Sequence, residues 1–261
     1  MFTPFANQNQ FDPDAGAFIN VTGIGGIEAV AINNLVNQLK SAGLWTKFNA
    51  LYPFVGGTAD TNKYNLINPQ DTNAAYRLSY VGGLTHNSNG ITGNGTSGYC
   101  NTNLAPVNMG GGTNNAVVCA YFRNYAGRNA TSDFGAHNGS SYIYINLRNA
   151  SNVSAASMNA DVAQSTTSTT ATSGFFTLSR TISTSFTTSI NKSHTTRTRN
   201  SIAAGAQNMY LLAANNNGTA GSFSNRNCAF FGLGFGFTTD EINSLVDINQ
   251  AFQTTLGRFS G

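Results

Sequence analysis

Residues 228–237 read CAFFGLGFGF, and residues 238–258 continue as TTDEINSLVDINQAFQTTLGR. Phe231, Leu233, Phe235 and Phe237 alternate with Gly232, Gly234 and Gly236. That is the period of a strand, and it puts the large side chains on one face. Burying a single Phe contributes roughly 1.5–3 kcal/mol, so a row of them makes a strong anchor. Glycine weakens a strand, so something is expected to lie close against the bare face, and the segment that follows is the nearest candidate. That segment reads as a helix. Thr238 is an N-cap with Glu241 three residues on, the pattern of a capping box. Ile242, Leu245, Val246, Phe252 and Leu256 recur at helical spacing, broken once by Asn249, and Gly257 stops the run. A buried strand leading into a packed helix over 239–256 is expected to close the domain.

A second helical stripe lies near the beginning. Ile27, Val30, Ala31, Leu35, Leu39 and Ala42 mark a helix over 27–42, stopped by Gly43. The next segment, LWTKFNALYPFV at 44–55, holds the only Trp and reads as a turn followed by a core strand. AVVCAYF at 116–122 is a continuous apolar run of strand length, expected at the centre of a sheet. In 141–147 the pattern alternates cleanly, with Ile143, Ile145 and Leu147 on one face and Tyr142 and Tyr144 on the other. Further strands are expected at 76–80, 175–181, 185–190, 195–199 and 208–213, with Asn191 and Lys192 forming a hairpin turn and 215–218 another turn.

Residues 149–173 are rich in Ser, Thr, Ala and Asn. They are expected to form a surface excursion with at most a short strand or helical turn around 158–162. A linker between domains is set aside there, because each flank holds only half a sandwich. Residues 1–17 are polar, with Pro4 and Pro13, and read as an extended arm; 18–21 reads as a short strand and 259–261 as a tail. Many short strands punctuated by turns predict a mainly β, single-domain sandwich over 18–258, with one helix near each end packed on it.

The composition narrows the function classes. Charged residues make up only 9% of the 261, and the net charge is +3, too small to argue for nucleic acid. Asn, Thr, Ser and Gly do the solvating instead, as on a β-rich extracellular or virion surface. Met1 to Pro4 lack the basic and apolar regions of a secretory signal, and no run is long enough to insert in a membrane. Cys100, Cys119 and Cys228 lack metal spacing and are expected to be buried free thiols; a Cys119–Cys228 bridge is the alternative.

With these segments in hand, the chain resembles structural proteins of tailed bacteriophages and related viruses that carry a concanavalin A-like (laminin-G or pentraxin-like) jelly roll. The resemblance rests on GLWTKFNALYPFVGG at 43–57, the strand and hairpin at 174–192, the strand and turn at 208–218, and FTTDEINSLVDINQAFQTTLGR at 237–258. It spans roughly 18–258, and its motifs are structural. It implies a virion structural protein on the particle's exterior: a fibre, spike, vertex or decoration subunit that is a homo-oligomer or docks on other virion proteins of a capsid or tail. It implies no catalytic residue.

The residues themselves agree that this is not an enzyme. A glycosidase of such a sandwich needs two carboxylates flanking the scissile bond. Glu28 and Glu241 are the only glutamates and both fall in helices, while the aspartates are scattered. The alternative reading is a lectin-like module that binds host-surface glycans for adsorption. Its candidate ligand-binding residues are Asp133 and His137, read as sharing a loop, and Tyr142 and Tyr144, whose rings offer stacking faces. No cofactor is expected. Calcium is the one metal considered for that loop, and a single carboxylate makes a poor cage for it.

Overall fold

The computed structural model describes residues 11–124, 132–147, 153–161, 165–168 and 173–259. The chain opens with helix α1 (Pro13–Thr22) and helix α2 (Gly26–Ser41). A 3-10 turn then leads into β1 (Phe48–Tyr52), followed by the single turn α3 (Ala59–Asn62). Four short strands follow: β2 (Ser79–Val81), β3 (Thr85–Asn87), β4 (Gly90–Thr92) and β5 (Tyr99–Asn101). The long strand β6 (Ala116–Asn124) precedes β7 (Phe134–His137), β8 (Tyr142–Asn146), β9 (Val153–Ala160) and β10 (Ser165–Ser168). Next come β11 (Gly174–Arg180), β12 (Ser185–Ile190) and β13 (Ser193–Thr198). The chain ends through β14 (Tyr210–Leu211), β15 (Ala214–Asn216), β16 (Thr219–Gly221), β17 (Asn227–Gly234) and α4 (Thr239–Thr255).

These strands make two sheets. The first runs β13-β12-β11-β6-β17-β4-β3, with β1 also paired to β17. The second runs β10-β9-β8-β7-β14-β5-β2, with the β15–β16 hairpin joined to β7. One hydrophobic core fills the space between the sheets, built on Phe122, Phe134, Phe176, Leu178, Phe231 and Leu233. A second core lies between the first sheet and the helices, built on Phe18, Leu35, Phe175, Phe230, Leu245 and Phe252. The fold is therefore a mainly β jelly-roll sandwich with a helical layer over one sheet. Strand β6 shows why 116–122 is apolar throughout. Val118, Ala120 and Phe122 enter the sandwich, and Val117, Cys119 and Tyr121 enter the helical core. Period two with both faces covered leaves no polar position until Arg123 and Asn124 at the strand's end.

Strand β17 departs from its expected regularity. A register shift lies between Cys228 and Phe230, and the strand ends at Gly234. Phe231 and Leu233 face the sandwich, but Phe230 and Phe237 face the helices. What lies against the glycines is not α4. A Cβ on Gly232 would fall 2.8 Å from the Phe48 ring and 2.9 Å from the Cys119 sulfur, and one on Gly234 would collide with the Lys47 carbonyl. The chain entering β1 and a neighbouring strand need the room, so the glycines serve sheet packing.

The amino-terminal reading is corrected in the same way. Residues 13–17 are helical, not an extended arm, and 18–21 continue that helix rather than forming a strand. Asp12 caps it, accepting the Asp14 amide, and Pro13 sits at its first position. Ala15, Phe18 and Ile19 are buried in the helical core, and Lys40 of α2 pairs with Asp12 at 2.7 Å and Asp14 at 2.6 Å. Residues 1–10 of the arm lie outside the described residues. The expected surface excursion at 149–173 is also overturned where it is described. β9 pairs with β8 along its length and with β10, and Ala156 and Met158 lie in the sandwich core. The inward positions are mostly small, so the alternation carried little signal. Residues 148–152, 162–164 and 169–172 lie outside the described residues. All three cysteines are buried and free, and burial pushes their thiols well above the ordinary range.

Candidate functional site

The four singled-out residues divide into one structural carboxylate and an aromatic surface. Asp133 is fully buried at the start of β7. Its carboxylate pairs with Arg226, accepts the Ser224 hydroxyl at 2.7 Å and accepts the Leu147 amide at 2.8 Å. The reading of Asp133 as a ligand or calcium residue on an open loop is therefore corrected. A carboxylate with a buried guanidinium, a hydroxyl and an amide around it is occupied in holding the second sheet together. Among the described residues, no three His, Cys, Asp or Glu side chains gather as a metal site.

His137, Tyr142 and Tyr144 do come together. In β7, Phe134 and Ala136 point into the sandwich, so Gly135 and His137 point away from it. In β8, Ile143 and Ile145 point inward, leaving Tyr142 and Tyr144 on that same outer face. The ladder sets His137 opposite Tyr142 and Gly135 opposite Tyr144. The imidazole and the Tyr142 ring stack at 4.6 Å and 14°. Tyr144 lies over Gly135, where a Cβ would approach its own Cβ to 2.9 Å. A glycine at that position leaves room for the Tyr144 side chain where it leaves the backbone.

The polar atoms here are unusual. Tyr144 Oη and His137 Nδ1 are buried and have no hydrogen-bond partner. Burial holds the His137 pKa below its usual value and raises the Tyr144 phenol. The connecting turn is well fixed. Asn138 Oδ1 accepts the amides of Ser140 at 3.0 Å and Ser141 at 2.8 Å, and the His137 carbonyl accepts the Asn217 amide at 2.9 Å.

The sheet extends this surface with residues that sequence reasoning missed. Tyr210 pairs across from Gly135 and therefore shares the outer face with Tyr144. Tyr99, beside core-facing Cys100 in β5, stacks on Tyr210 at 4.5 Å and 28°, with Phe223 at 6.3 Å from Tyr99. Three distant segments thus place six rings (His137, Tyr142, Tyr144, Tyr210, Tyr99, Phe223) along one face. No local pattern announces this, because only the order β8-β7-β14-β5 makes them neighbours.

His194 and both glutamates are engaged in holding elements together. His194 takes a hydrogen bond with Ser189 Oγ at 2.7 Å and with Asn243 Oδ1 at 3.0 Å, fastening the β12–β13 hairpin to α4. Glu28 accepts the Gly56 amide at 2.9 Å, and Glu241 caps α4 and pairs with Lys47. No helix among the described residues is long and apolar enough to cross a membrane.

The sequence matches no protein-family model, and it matches no curated protein. Solved structures do share its shape. A mutant of Trypanosoma rangeli sialidase displaying trans-sialidase activity superposes with a TM-score of 0.55 at 10% identity, over 86% of this chain and 39% of that one. The binding domain of botulinum neurotoxin serotype D gives 0.53 at 9% identity, over 78% of this chain and 52% of that one. The binding domain of botulinum neurotoxin DC in complex with SialylT gives 0.53 at 12% identity, with the same two coverages of 78% and 52%. The chain spans about half or less of each of these structures. At such identities the likeness is one of fold, and a fold of this kind hosts many functions. The resemblance to tailed-phage structural proteins draws no support from these three structures, whose common ground with this chain is the β-sandwich itself.

Proposed function

We propose that this chain is a glycan-binding module that takes a saccharide on the outer face of its second sheet. The observation that carries this reading is the ring pair His137 and Tyr142, stacked and half-exposed beside the unpartnered Tyr144 hydroxyl and His137 Nδ1. A sugar ring has an apolar C–H face and a rim of hydroxyls. It suits a site that offers flat aromatic surface with a few polar handles. A buried hydroxyl without a partner costs about 1–3 kcal/mol, so a saccharide hydroxyl that reaches it once the covering side chains shift gains by satisfying it. The fold-mate from botulinum neurotoxin DC, described with SialylT bound, makes this a use the architecture accommodates.

The acids support binding over two-carboxylate hydrolysis. Each of the described carboxylates faces a cation or a helix N-terminus: Asp12 and Asp14 face Lys40, Asp60 and Asp71 face Lys63, Asp133 faces Arg226, Asp161 faces Arg199, Asp247 faces Lys192, and Glu28, Asp240 and Glu241 lie in first helical turns. That arrangement offers no acid and base pair across a shared cleft.

A glycan array followed by titration calorimetry tests the proposal. One or more glycans should bind, Tyr142→Ala should weaken binding about tenfold with the fold intact, and a chelator should change nothing. An array without a hit, or affinity indifferent to Tyr142, would overturn it.

A further inference from the structure

On the opposite side of the molecule, a cleft of about 400 Å³ opens between α4, the start of β11 and the β12–β13 turn. Its floor is Phe175 and Tyr121, both buried. Phe259, a residue 41% exposed, forms one wall, its ring stacked on Tyr121 at 6.5 Å and 12°. The rim carries the amides of Asn191 and Gln250, and buried Asn249 lies deeper in the cleft. A packing fault between helix and sheet would be closed and lined by carbon; this one is open-mouthed and rimmed with hydrogen-bonding groups.

The rim is also pre-set. Asn191 sits at a φ of 52°, its Oδ1 accepts the Phe175 amide at 2.9 Å and its own amide donates to the Phe175 carbonyl at 2.7 Å. With that oxygen engaged, its NH₂ is the group left to offer. Asn249 likewise gives its oxygen to Gln253 Nε2 at 3.1 Å. Gln250 is exposed and brings both a donor and an acceptor. Lys192 is neutralised by Asp247 at 2.6 Å, which ties the turn to α4 and leaves the mouth without net charge.

We infer that this cleft is a second ligand site, built for a single neutral pyranose ring. The volume is that of a small-ligand pocket. The exposed Phe259, over a floor of Phe175 and Tyr121, matches the C–H face of a sugar, and amides that donate and accept match its hydroxyls. The paired Lys192 leaves no cation in want of an anionic ligand. The site is separated from the outer-face rings by both sheets, so the two stand or fall separately.

The test is amide NMR of the full chain, titrated with methyl glycosides of glucose, galactose, mannose and N-acetylglucosamine, and with a carboxylated sugar. At least one neutral glycoside should shift the amides of Gly174, Lys192 and Gln250. Gln250→Ala and Phe259→Ala, both at exposed side chains, should each weaken that binding about fivefold, while Tyr142→Ala leaves it unchanged. Circular dichroism verifies that each variant folds. The inference is overturned if none of these amides responds, if both variants bind as the parent does, or if the carboxylated sugar is preferred over every neutral one. Shifts confined to the residues around Tyr142 would overturn it while upholding the outer-face site.

Discussion

Asp133 and Arg226 show how one residue can be misread from sequence. An aspartate four positions before a histidine, in a stretch of Asn, Ser and Gly, has the look of a ligand loop. In the folded chain its side chain is fully buried against Arg226, whose side chain is 2% exposed. Removing one partner of such a pair leaves a buried charge unmatched, which costs about 3–5 kcal/mol. Asp133→Ala should therefore lower the urea midpoint severely, whereas Tyr142→Ala should barely move it. A mild loss in Asp133→Ala would mean the pair is not structural. The histidines give a pH signature. Burial lowers the pKa of both His86 and His137 from the ordinary 6.5. The unfolded chain then binds more protons than the native one between the depressed values and 6.5. Stability is full above that window and falls as the pH drops through it. Asp71, held low by its hydrogen bond from Lys63, adds a loss only at more acidic pH, below the ordinary carboxylate range. Urea midpoints should fall between about pH 7.5 and about pH 5.5, and His86→Gln with His137→Gln should flatten that slope. An unchanged slope in the double variant would place the protons elsewhere.

Elements here are decided by close approach as much as by propensity. The capping box at Thr238 and Glu241 starts α4 as its sequence predicts. Its end is held by Arg258, which is 3% exposed and donates to the carbonyls of Phe54 at 2.6 Å and Pro53 at 3.2 Å. Arg180 does similar work at the other end of the first sheet. It donates to the carbonyl of Met158 in the second sheet at 2.9 Å and to that of Arg199 after β13 at 3.0 Å. Both guanidiniums find backbone carbonyls rather than carboxylates, and burial lowers each pKa to about 10. Glycine decides the fit of β17. Gly234→Ala would drive a methyl into the Lys47 carbonyl, where backbone must shift. The expected loss is about 3 kcal/mol, at the upper end for overpacking. It is read from chemical denaturation; a loss below about 1 kcal/mol would show that β1 can yield.

At the scale of the whole molecule, the first sheet is shared by two cores, so helices and sandwich should unfold together. Trp45 packs against the helical core, so its fluorescence reports the helical layer, while the strand band of the amide I infrared spectrum reports the sheets. Their thermal midpoints should coincide; a Trp transition that precedes loss of the strand band would mean the helical layer detaches first. The sequence alone determined a great deal here. The alternating 141–147, the wholly apolar 116–122 and the capped stripe from Thr238 state a β-sandwich closed by a terminal helix, because period and capping are local and survive without neighbours. The helix at 13–22 was missed, although Asp12 and Pro13 mark its start, because its polar flank reads as an arm. Only the tertiary structure decided which rings share a face, that Asp133 is an internal strut, and that an amide-rimmed cleft opens beside α4. Those facts depend on strand order and on contacts such as Tyr99 to Tyr210 or Asp133 to Arg226, between residues about a hundred positions apart, and no local pattern encodes a neighbour at that distance.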